Sequence, residues 1–146
     1  MPRNVFVFCG NPVEGSFCSE IARQYVASAT AAGHACRAMS VGEMKFDPNL
    51  RYGYHQRMEL EPDLLAAQEG VRWAEHLVFI YPTWWGSMPA LMKGFVDRTF
   101  LPEFAFRYRP GSVFWDKLLK GRSARLIVTM DAPWWWDTLV NGSTSR

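Results

Sequence analysis

The chain contains four apolar runs, and each has the length of a β-strand. Residues 5–8 and 77–81 are continuously apolar rather than alternating, which is typical of a central strand that is covered on both faces. Residues 34–41 are only moderately apolar, which favours an outer strand, and residues 126–128 of the last run are expected to be buried. We therefore predict four parallel strands near residues 3–9, 34–40, 77–81 and 124–130.

Segments with helical spacing follow the first three runs, so the chain alternates strand and helix as parallel α/β proteins do. Ser16 is a good N-cap for the first helix, which is expected to end at Gly33. Residues 61–63 and Pro89 open the second and third helices, because proline suits the first helical turn. The predicted apolar faces are Ile21, Ala22, Tyr25, Val26 and Ala29, then Leu64, Ala67, Val71 and Ala74, then Leu91, Met92, Phe95, Val96 and Phe100; the polar side of the third helix is Lys93, Asp97 and Arg98.

Two segments have a different character. Residues 42–60 show no regular period and are expected to form a long surface loop. A lone histidine in a polar loop, such as His55, is more often solvated than a ligand or an acid–base group. Residues 115–119 are expected to form a short helical turn. His76 comes directly before the third strand and is interpreted as structural.

The loop after the third strand stands out because it carries two adjacent tryptophans. Pro82 lacks an N–H and is expected to stop the ladder, and Thr83, Trp84, Trp85 and Gly86 then lead toward the third helix. Such a loop is a poor solvated turn, but it makes a flat apolar wall at the carboxyl end of a strand. Ligands of open α/β sheets bind at these ends, so a planar aromatic ligand would suit the wall. From residue chemistry alone, the alternative that Trp84 and Trp85 are core aromatics stays open.

The loop after the first strand, residues 10–17, joins a strand end to a helix N-terminus. Free N–H groups and the helix dipole attract a phosphate at such a position. The signal is weak by itself, because Ser16 can simply cap the helix.

Residues 81–98, YPTWWGSMPALMKGFVDR, closely resemble the signature of the flavodoxin-like NAD(P)H:quinone oxidoreductases. The resemblance implies an α/β fold, a flavodoxin-like three-layer sandwich with a parallel sheet in the order 2-1-3-4. In this family the loop that matches Pro82, Thr83, Trp84, Trp85 and Gly86 lies along the isoalloxazine ring of a flavin, FAD or FMN. Backbone N–H groups of that loop are directed at the polar edge of the ring.

The same resemblance implies that two further loops bind the flavin. The first loop is similar to the family's phosphate loop, so Ser16, Phe17 and Cys18 are expected to contact the flavin phosphates. Asn11 stands where the family usually has histidine, but its amide can still donate a hydrogen bond. The far edge of the flavin is expected to meet the loop after the fourth strand, formed by Thr129, Met130 and Asp131.

Residues 104–108 alternate aromatic side chains, which is unusual in an exposed loop. In the family the matching residues line the site of the partner subunit. Phe106 and Tyr108 are therefore implied to form a substrate wall across a homodimer interface. The alternative is an aromatic cluster at the sheet edge, and both interpretations stay open.

The activity implied by the resemblance is an NAD(P)H-dependent one. A hydride passes to the flavin, and a quinone or similar small-molecule acceptor then takes two electrons. No residue is identified as catalytic, and no metal site is expected. A shortened, non-catalytic regulatory or interaction subunit is the alternative function.

The C-terminal part of the chain looks short beside the family, whose members continue with another helix and a fifth strand. Residues 126–128 would then form an unpaired apolar edge, which is an association hazard. Either another chain or the tryptophan-rich tail that begins at residues 133–136 is expected to cover this edge. We predict that the protein is not a monomer, but either a homodimer that uses the third helix and residues 104–108 or an assembly that also shields the fourth strand.

Composition narrows the class of protein and of partner. A chain of 146 residues that is 49% hydrophobic and 21% charged fits one globular domain over residues 1–146. A net charge of +2 with scattered Lys and Arg argues against nucleic acid or a membrane surface. Three cysteines without metal or CxxC spacing, and the lack of a signal peptide or membrane span, favour the reducing cytoplasm. Ser87 lacks the Gly-x-Ser-x-Gly context of a triad hydrolase.

Overall fold

Strands and helices alternate along most of the chain, as the hydrophobic pattern predicts. The computed structural model describes residues 1–133 and residue 135, and within this part no helix has both the length and the apolar content of a membrane span. The four predicted strands and three predicted helices are present, with their ends shifted by one or two residues. In chain order the elements are β1 (Asn4–Cys9), α1 (Phe17–Ala31), β2 (Ala35–Ser40), a 3-10 turn (Val41–Glu43), α2 (Pro62–Trp73), β3 (His76–Pro82), α3 (Ala90–Thr99), β4 (Phe106–Tyr108), β5 (Trp115–Lys117) and β6 (Ser123–Thr129).

The main sheet is fully parallel and has the predicted order, β2-β1-β3-β6. The prediction that Pro82 stops the ladder is wrong by one residue. Pro82 still pairs with Thr129, and the N–H of the next residue, Thr83, donates to the Thr129 carbonyl at 2.8 Å. The N–H that proline lacks would be directed toward β1, because alternate residues of a strand serve alternate neighbours. Since β1 has already ended at Cys9, the missing donor costs little.

Alternate residues of the strands face two different helix layers, so the core is divided in two. On one side, Phe6 and Phe8 pack against α2 and α3, and the rings of Phe8 and Phe95 stack with their centroids 3.9 Å apart. On the other side, Val5 and Val7 pack against α1. This arrangement confirms the three-layer α/β sandwich.

The segment between β2 and α2 forms the long surface loop that the sequence predicts, and residues 44–60 are all exposed or half-buried. It contains no helix or strand after its 3-10 turn, but it is fastened to α3 at two points. Gly94 of α3 lies so close to Pro48 that an added Cβ would collide with it. Arg98, one helical turn further on, binds the segment near both of its ends.

Arg98 contradicts its predicted place on the polar side of α3, because the structure buries it completely. Its Nη1 donates to the Asp47 carbonyl at 2.6 Å, and its Nη2 donates to the Glu59 carbonyl at 2.7 Å and to Glu61 Oε2 at 2.9 Å. Partial burial raises the pKa of the Glu61 carboxyl, but the hydrogen bond from the Asp47 N–H and the Arg98 charge more than offset this, so its pKa lies below the usual value. Helical spacing alone does not distinguish a buried, paired arginine from a solvated one.

Residues 115–119 do not form the predicted helical turn. Trp115, Asp116 and Lys117 form β5, which pairs antiparallel with β4 so that Trp115 lies opposite Tyr108. An ion pair of 2.6 Å between Arg109 and Asp116 ties the two strands together. Aromatic residues favour a strand when a neighbouring strand is available, and the pattern of a single segment does not show that neighbour.

Residues 126–128 are less buried than the sequence predicts. Leu126 is 62% exposed and Val128 is 38% exposed, whereas Ile127 packs on the α1 side of the core. In the part of the chain that the structure describes, β6 pairs only with β3, which explains the exposure. The predicted cover by the tryptophan-rich tail involves residues 134 and 136–146, which lie outside the described residues.

Replacing Arg98 with Met is expected to lower the free energy of unfolding by about 3 kcal/mol, because it removes several buried hydrogen bonds and leaves the Glu61 carboxylate without its partner. Urea unfolding followed by circular dichroism measures the change. Lys93→Met is the matched control: it breaks only the exposed pair with Asp97 on the same helix, and its effect should stay below about 0.5 kcal/mol. Equal losses in the two variants would contradict the anchoring role of Arg98.

Candidate functional site

Three loops meet at the carboxyl edge of the sheet, and two contacts fix their relative positions. The Thr83 N–H donates to the Thr129 carbonyl, which joins the loop after β3 to the end of β6. The Cys18 sulphur lies 3.3 Å from Thr129 Oγ1, which joins the first turn of α1 to the same residue. The structure thus brings together the three segments that the sequence assigns to one site, and Thr129 is their common contact.

Residues 84–87 form a tight two-residue hairpin turn. The Trp84 N–H donates to the Ser87 carbonyl at 2.8 Å, and the Ser87 N–H donates to the Trp84 carbonyl at 3.1 Å. Both central residues have a positive φ, 51° at Trp85 and 72° at Gly86, as a type I′ turn requires. Glycine adopts this backbone conformation freely, whereas at Trp85 it costs on the order of 1 kcal/mol of conformational energy.

The hairpin turn places both indole side chains at the surface. Trp84 is 45% exposed and Trp85 is fully exposed, so the alternative that they are core aromatics is wrong. Within the described residues, the N–H groups of Trp85 and Gly86 have no acceptor. One short loop therefore offers an aromatic surface together with two free hydrogen-bond donors.

The N-terminus of α1 supplies a second set of donors. Ser16 is its N-cap, as predicted, and its Oγ accepts from the Ser19 N–H at 3.3 Å. The N–H groups of Phe17 and Cys18 have no acceptor among residues 1–133 and 135, and the helix dipole adds partial positive charge at this end. The end of α1 therefore suits an anion such as a phosphate.

Asn11 and the residues after Thr129 border the same edge. Asn11 Oδ1 accepts from the Val13 N–H at 3.0 Å, so the oxygen shapes the loop and the amide nitrogen is left as a donor. Met130 and Asp131 directly follow β6 and are both exposed. These positions agree with a third wall around the edge.

Phe106 and Tyr108 do not reach this edge within one chain. They lie on β4, where their rings form an edge-to-face pair with centroids 5.2 Å apart, and Tyr108 is 60% exposed. In the described part of the molecule, no hydrogen bond or ring contact links them to the three loops. Their place over the site of a partner subunit stays a prediction.

Sequence reasoning misses two features that shape the site. Gly10 follows β1, and an added Cβ there would collide with the Met92 side chain, so a larger residue would force this buried side chain to move. The Gly10-Asn11-Pro12 sequence, which ends the first strand, is a signal that could have drawn attention to this glycine. The contact between Cys18 and Thr129 joins residues that are far apart in sequence, and no local pattern indicates it.

His34 and His76 lie at the opposite, amino-terminal edge, at the starts of β2 and β3. His76 Nδ1 lies 2.8 Å from Ser123 Oγ, and its Nε2 lies 3.3 Å from the Tyr25 hydroxyl. Burial lowers the pKa of His76, and nearby arginines lower it further. These contacts support the structural interpretation of His76 and separate it from the carboxyl edge.

A family model described as having the flavodoxin-like fold matches residues 3–142 of the chain. Human ribosyldihydronicotinamide dehydrogenase (quinone) is 40% identical over 94 residues, which cover 62% of this chain and 39% of the human protein. The chain thus spans less than half the length of the curated relatives that it matches.

Solved structures share the same architecture. The crystal structure of Smu.1420 from Streptococcus mutans UA159 is 33% identical with a TM-score of 0.76, over 90% of this chain and 70% of that one. An NAD(P)H:quinone oxidoreductase from Methanothermobacter marburgensis has a TM-score of 0.78 over 92% of this chain and 70% of its own. Its identity of 22% shows likeness of fold alone.

Ser16→Ala is expected to lower the free energy of unfolding by about 1 kcal/mol, because it removes the N-cap of α1. Thermal unfolding followed by circular dichroism measures the loss. Ser28→Ala, at an exposed position of the same helix, is the control and should change stability by less than about 0.5 kcal/mol. Ser16→Asp should restore the cap. A variant with alanine at position 16 that is as stable as the parent would contradict the capping role.

Proposed function

We propose that this chain, which belongs to the family with the flavodoxin-like fold, is a flavoprotein that takes electrons from NAD(P)H and passes them in pairs to a quinone or similar acceptor. The observation that carries the proposal is that the loop after β3, through Thr83, and the first turn of α1, through Cys18, both contact Thr129 at the end of β6. The name of the human relative, a quinone-dependent dehydrogenase, supports the same class of reaction.

The residues at this edge fit the ring of a flavin. Trp84 and Trp85 present an exposed aromatic surface to a flat ligand, and the free N–H groups of Trp85 and Gly86 suit the polar atoms at the edge of its ring. We propose that the ring is held by Pro82, Thr83, Trp84, Trp85 and Gly86, and that its far edge meets Thr129, Met130 and Asp131.

The end of α1 fits the phosphate that FMN and FAD share. The free N–H groups of Phe17 and Cys18 and the positive end of the helix dipole favour a bound anion. Asn11 has a free amide nitrogen on the same loop. Ser16 Oγ accepts the capping hydrogen bond from the Ser19 N–H, and its hydroxyl donates to Ser19 Oγ at 3.4 Å. A contact of Ser16 with the phosphate would redirect that hydroxyl donor.

The protein's own part in the reaction is binding, orientation and the exclusion of water. A bound flavin would supply the redox chemistry, accepting a hydride from NAD(P)H and reducing the quinone. The indoles of Trp84 and Trp85 would shield one side of the site from solvent, which limits side reactions there. All three cysteines, Cys9, Cys18 and Cys36, are free thiols, which suits the reducing cytoplasm that we propose as the location.

We also propose that the working form is a homodimer. The rings of Phe106 and Tyr108 form an aromatic surface on the β4–β5 hairpin, and Leu126 and Val128 expose a second apolar surface. A partner subunit would bury part of this area, and it would bring Phe106 and Tyr108 to the substrate side of the neighbouring site.

Gly86→Val is expected to weaken flavin binding by at least about tenfold, because a branched side chain is strained at positive φ and obstructs the approach of the backbone to the ring. Fluorescence titration with FMN and with FAD measures the affinity. Gly121→Val is the matched control, since Gly121 also has a positive φ, 86°, but lies before β6 at the other edge. Unchanged affinity in the Gly86 variant, or an equal loss in both, would contradict the placement.

The same preparations decide between the two functions. Absorbance in the flavin bands tests the cofactor, and oxidation of NADH or NADPH in the presence of a quinone tests the activity. Flavin binding without quinone-dependent oxidation would favour the non-catalytic interaction subunit.

Sedimentation at micromolar concentration is expected to show at least two chains. Tyr108→Asp should shift the protein toward monomer and lower quinone reduction by about tenfold or more, because it places a charge in an apolar contact. Tyr108→Phe keeps the ring and should behave like the parent protein. A flavin-loaded, fully active monomer would overturn both the interface and the shared site.

A further inference from the structure

A cavity of about 270 Å³ lies on the α2–α3 side of the sheet. It is bounded by the segment between β2 and α2, the second half of α2 and the residues that follow α3. These helix ends lie toward the amino-terminal edge of the sheet, because α2 and α3 run back from the carboxyl edge. The cavity shares no residue with the proposed flavin site.

The wall of this cavity is largely apolar, with Leu60, Leu101 and Phe104 among its residues. Phe104 is buried, and the Arg72 guanidinium lies 4.8 Å from the centroid of its ring. Stacking on the ring keeps the charge of Arg72 at the wall of the cavity. A ligand with a flat apolar body would therefore meet an apolar wall and a cation together.

The charges around the cavity are not balanced. Arg57 and Arg72 both line it, and neither guanidinium has a hydrogen bond or an ion pair within residues 1–133 and 135. Glu103 also lines the cavity, but its carboxylate already accepts a hydrogen bond of 2.6 Å from Arg107. The cavity therefore carries a net positive charge that a bound anion could neutralise.

Gln68 adds a fixed polar group to this wall. It is 5% exposed, and its Nε2 donates to the Thr99 carbonyl at 2.9 Å. This bond holds the amide in one orientation and leaves Oε1 as an acceptor. A donor on the ligand, such as a hydroxyl group, would suit that oxygen.

We propose that this cavity binds a small carboxylate with a flat, apolar body. The two arginines suit a carboxylate because guanidinium groups form charge-assisted, bidentate hydrogen bonds with it. The apolar wall accounts for the body of the ligand, which an inorganic anion lacks. The volume lies below the usual range for drug-sized ligands, so the ligand has one or two rings at most. The proposal is independent of flavin binding at the carboxyl edge.

The test uses 2-naphthoate as the probe and its neutral analogue 2-naphthamide as the control ligand, both titrated by calorimetry into the full chain. The carboxylate is expected to bind about tenfold more tightly than the amide. Arg57→Gln, at an exposed residue, should reduce this preference by several-fold, because only Arg72 would then face the carboxylate. Arg23→Gln, which breaks only the exposed pair with Glu20, should keep it. Leu101→Trp should fill the cavity and abolish binding of both compounds.

Several results would overturn the proposal. They are the absence of 2-naphthoate binding to the parent protein at millimolar concentration, equal affinity for the acid and the amide, and an unchanged preference in the Arg57 variant. Displacement of 2-naphthoate by FMN would place the compound at the carboxyl edge instead. Because FMN enters only as a competitor, a chain that binds no flavin still gives a clear result for the cavity.

Discussion

Parallel pairing decides which loops of this protein can meet. The strands β1, β3 and β6 end at one edge, and Pro82 lies opposite Thr129 in the ladder. A slip of one residue in β6 would move Thr129 to the other face of the sheet, because the side-chain period of a strand is two. The contacts of Thr129 with Thr83 and Cys18 would then be lost together. The geometry of the site therefore depends on strand register more than on the sequence of any one loop.

On the α2–α3 side, a buried charge fixes the position of a loop. Burial of an unpaired guanidinium costs several kcal/mol, so Arg98 is tolerated only with its partners in place. Those partners are the carbonyls of Asp47 and Glu59 and the carboxylate of Glu61. They flank the segment that carries Arg57, so the buried charge also positions a wall of the cavity.

Local patterns predict most of the fold and part of the site. The continuous apolar runs predict the central strands correctly because such runs indicate burial on both faces. Ser16 and Pro89 predict helix starts because a serine hydroxyl can cap a helix and proline suits its first turn. The misses at Arg98, Trp115 and Leu126 have one cause: the state of each residue depends on a partner or a covering layer that is distant in sequence. The same holds for the candidate site: motifs predict its residues one loop at a time, whereas the contacts of Thr83 and Cys18 with Thr129 are tertiary.

At Trp85, backbone strain and the proposed contact with the flavin ring make opposite demands on one residue. Glycine or asparagine would adopt its positive φ with less strain, by on the order of 1 kcal/mol. A library of variants screened only for heat resistance would therefore enrich those residues at position 85 and erase the exposed indole. A thermostable variant that keeps the indole would therefore need its stabilising substitutions at positions other than 85.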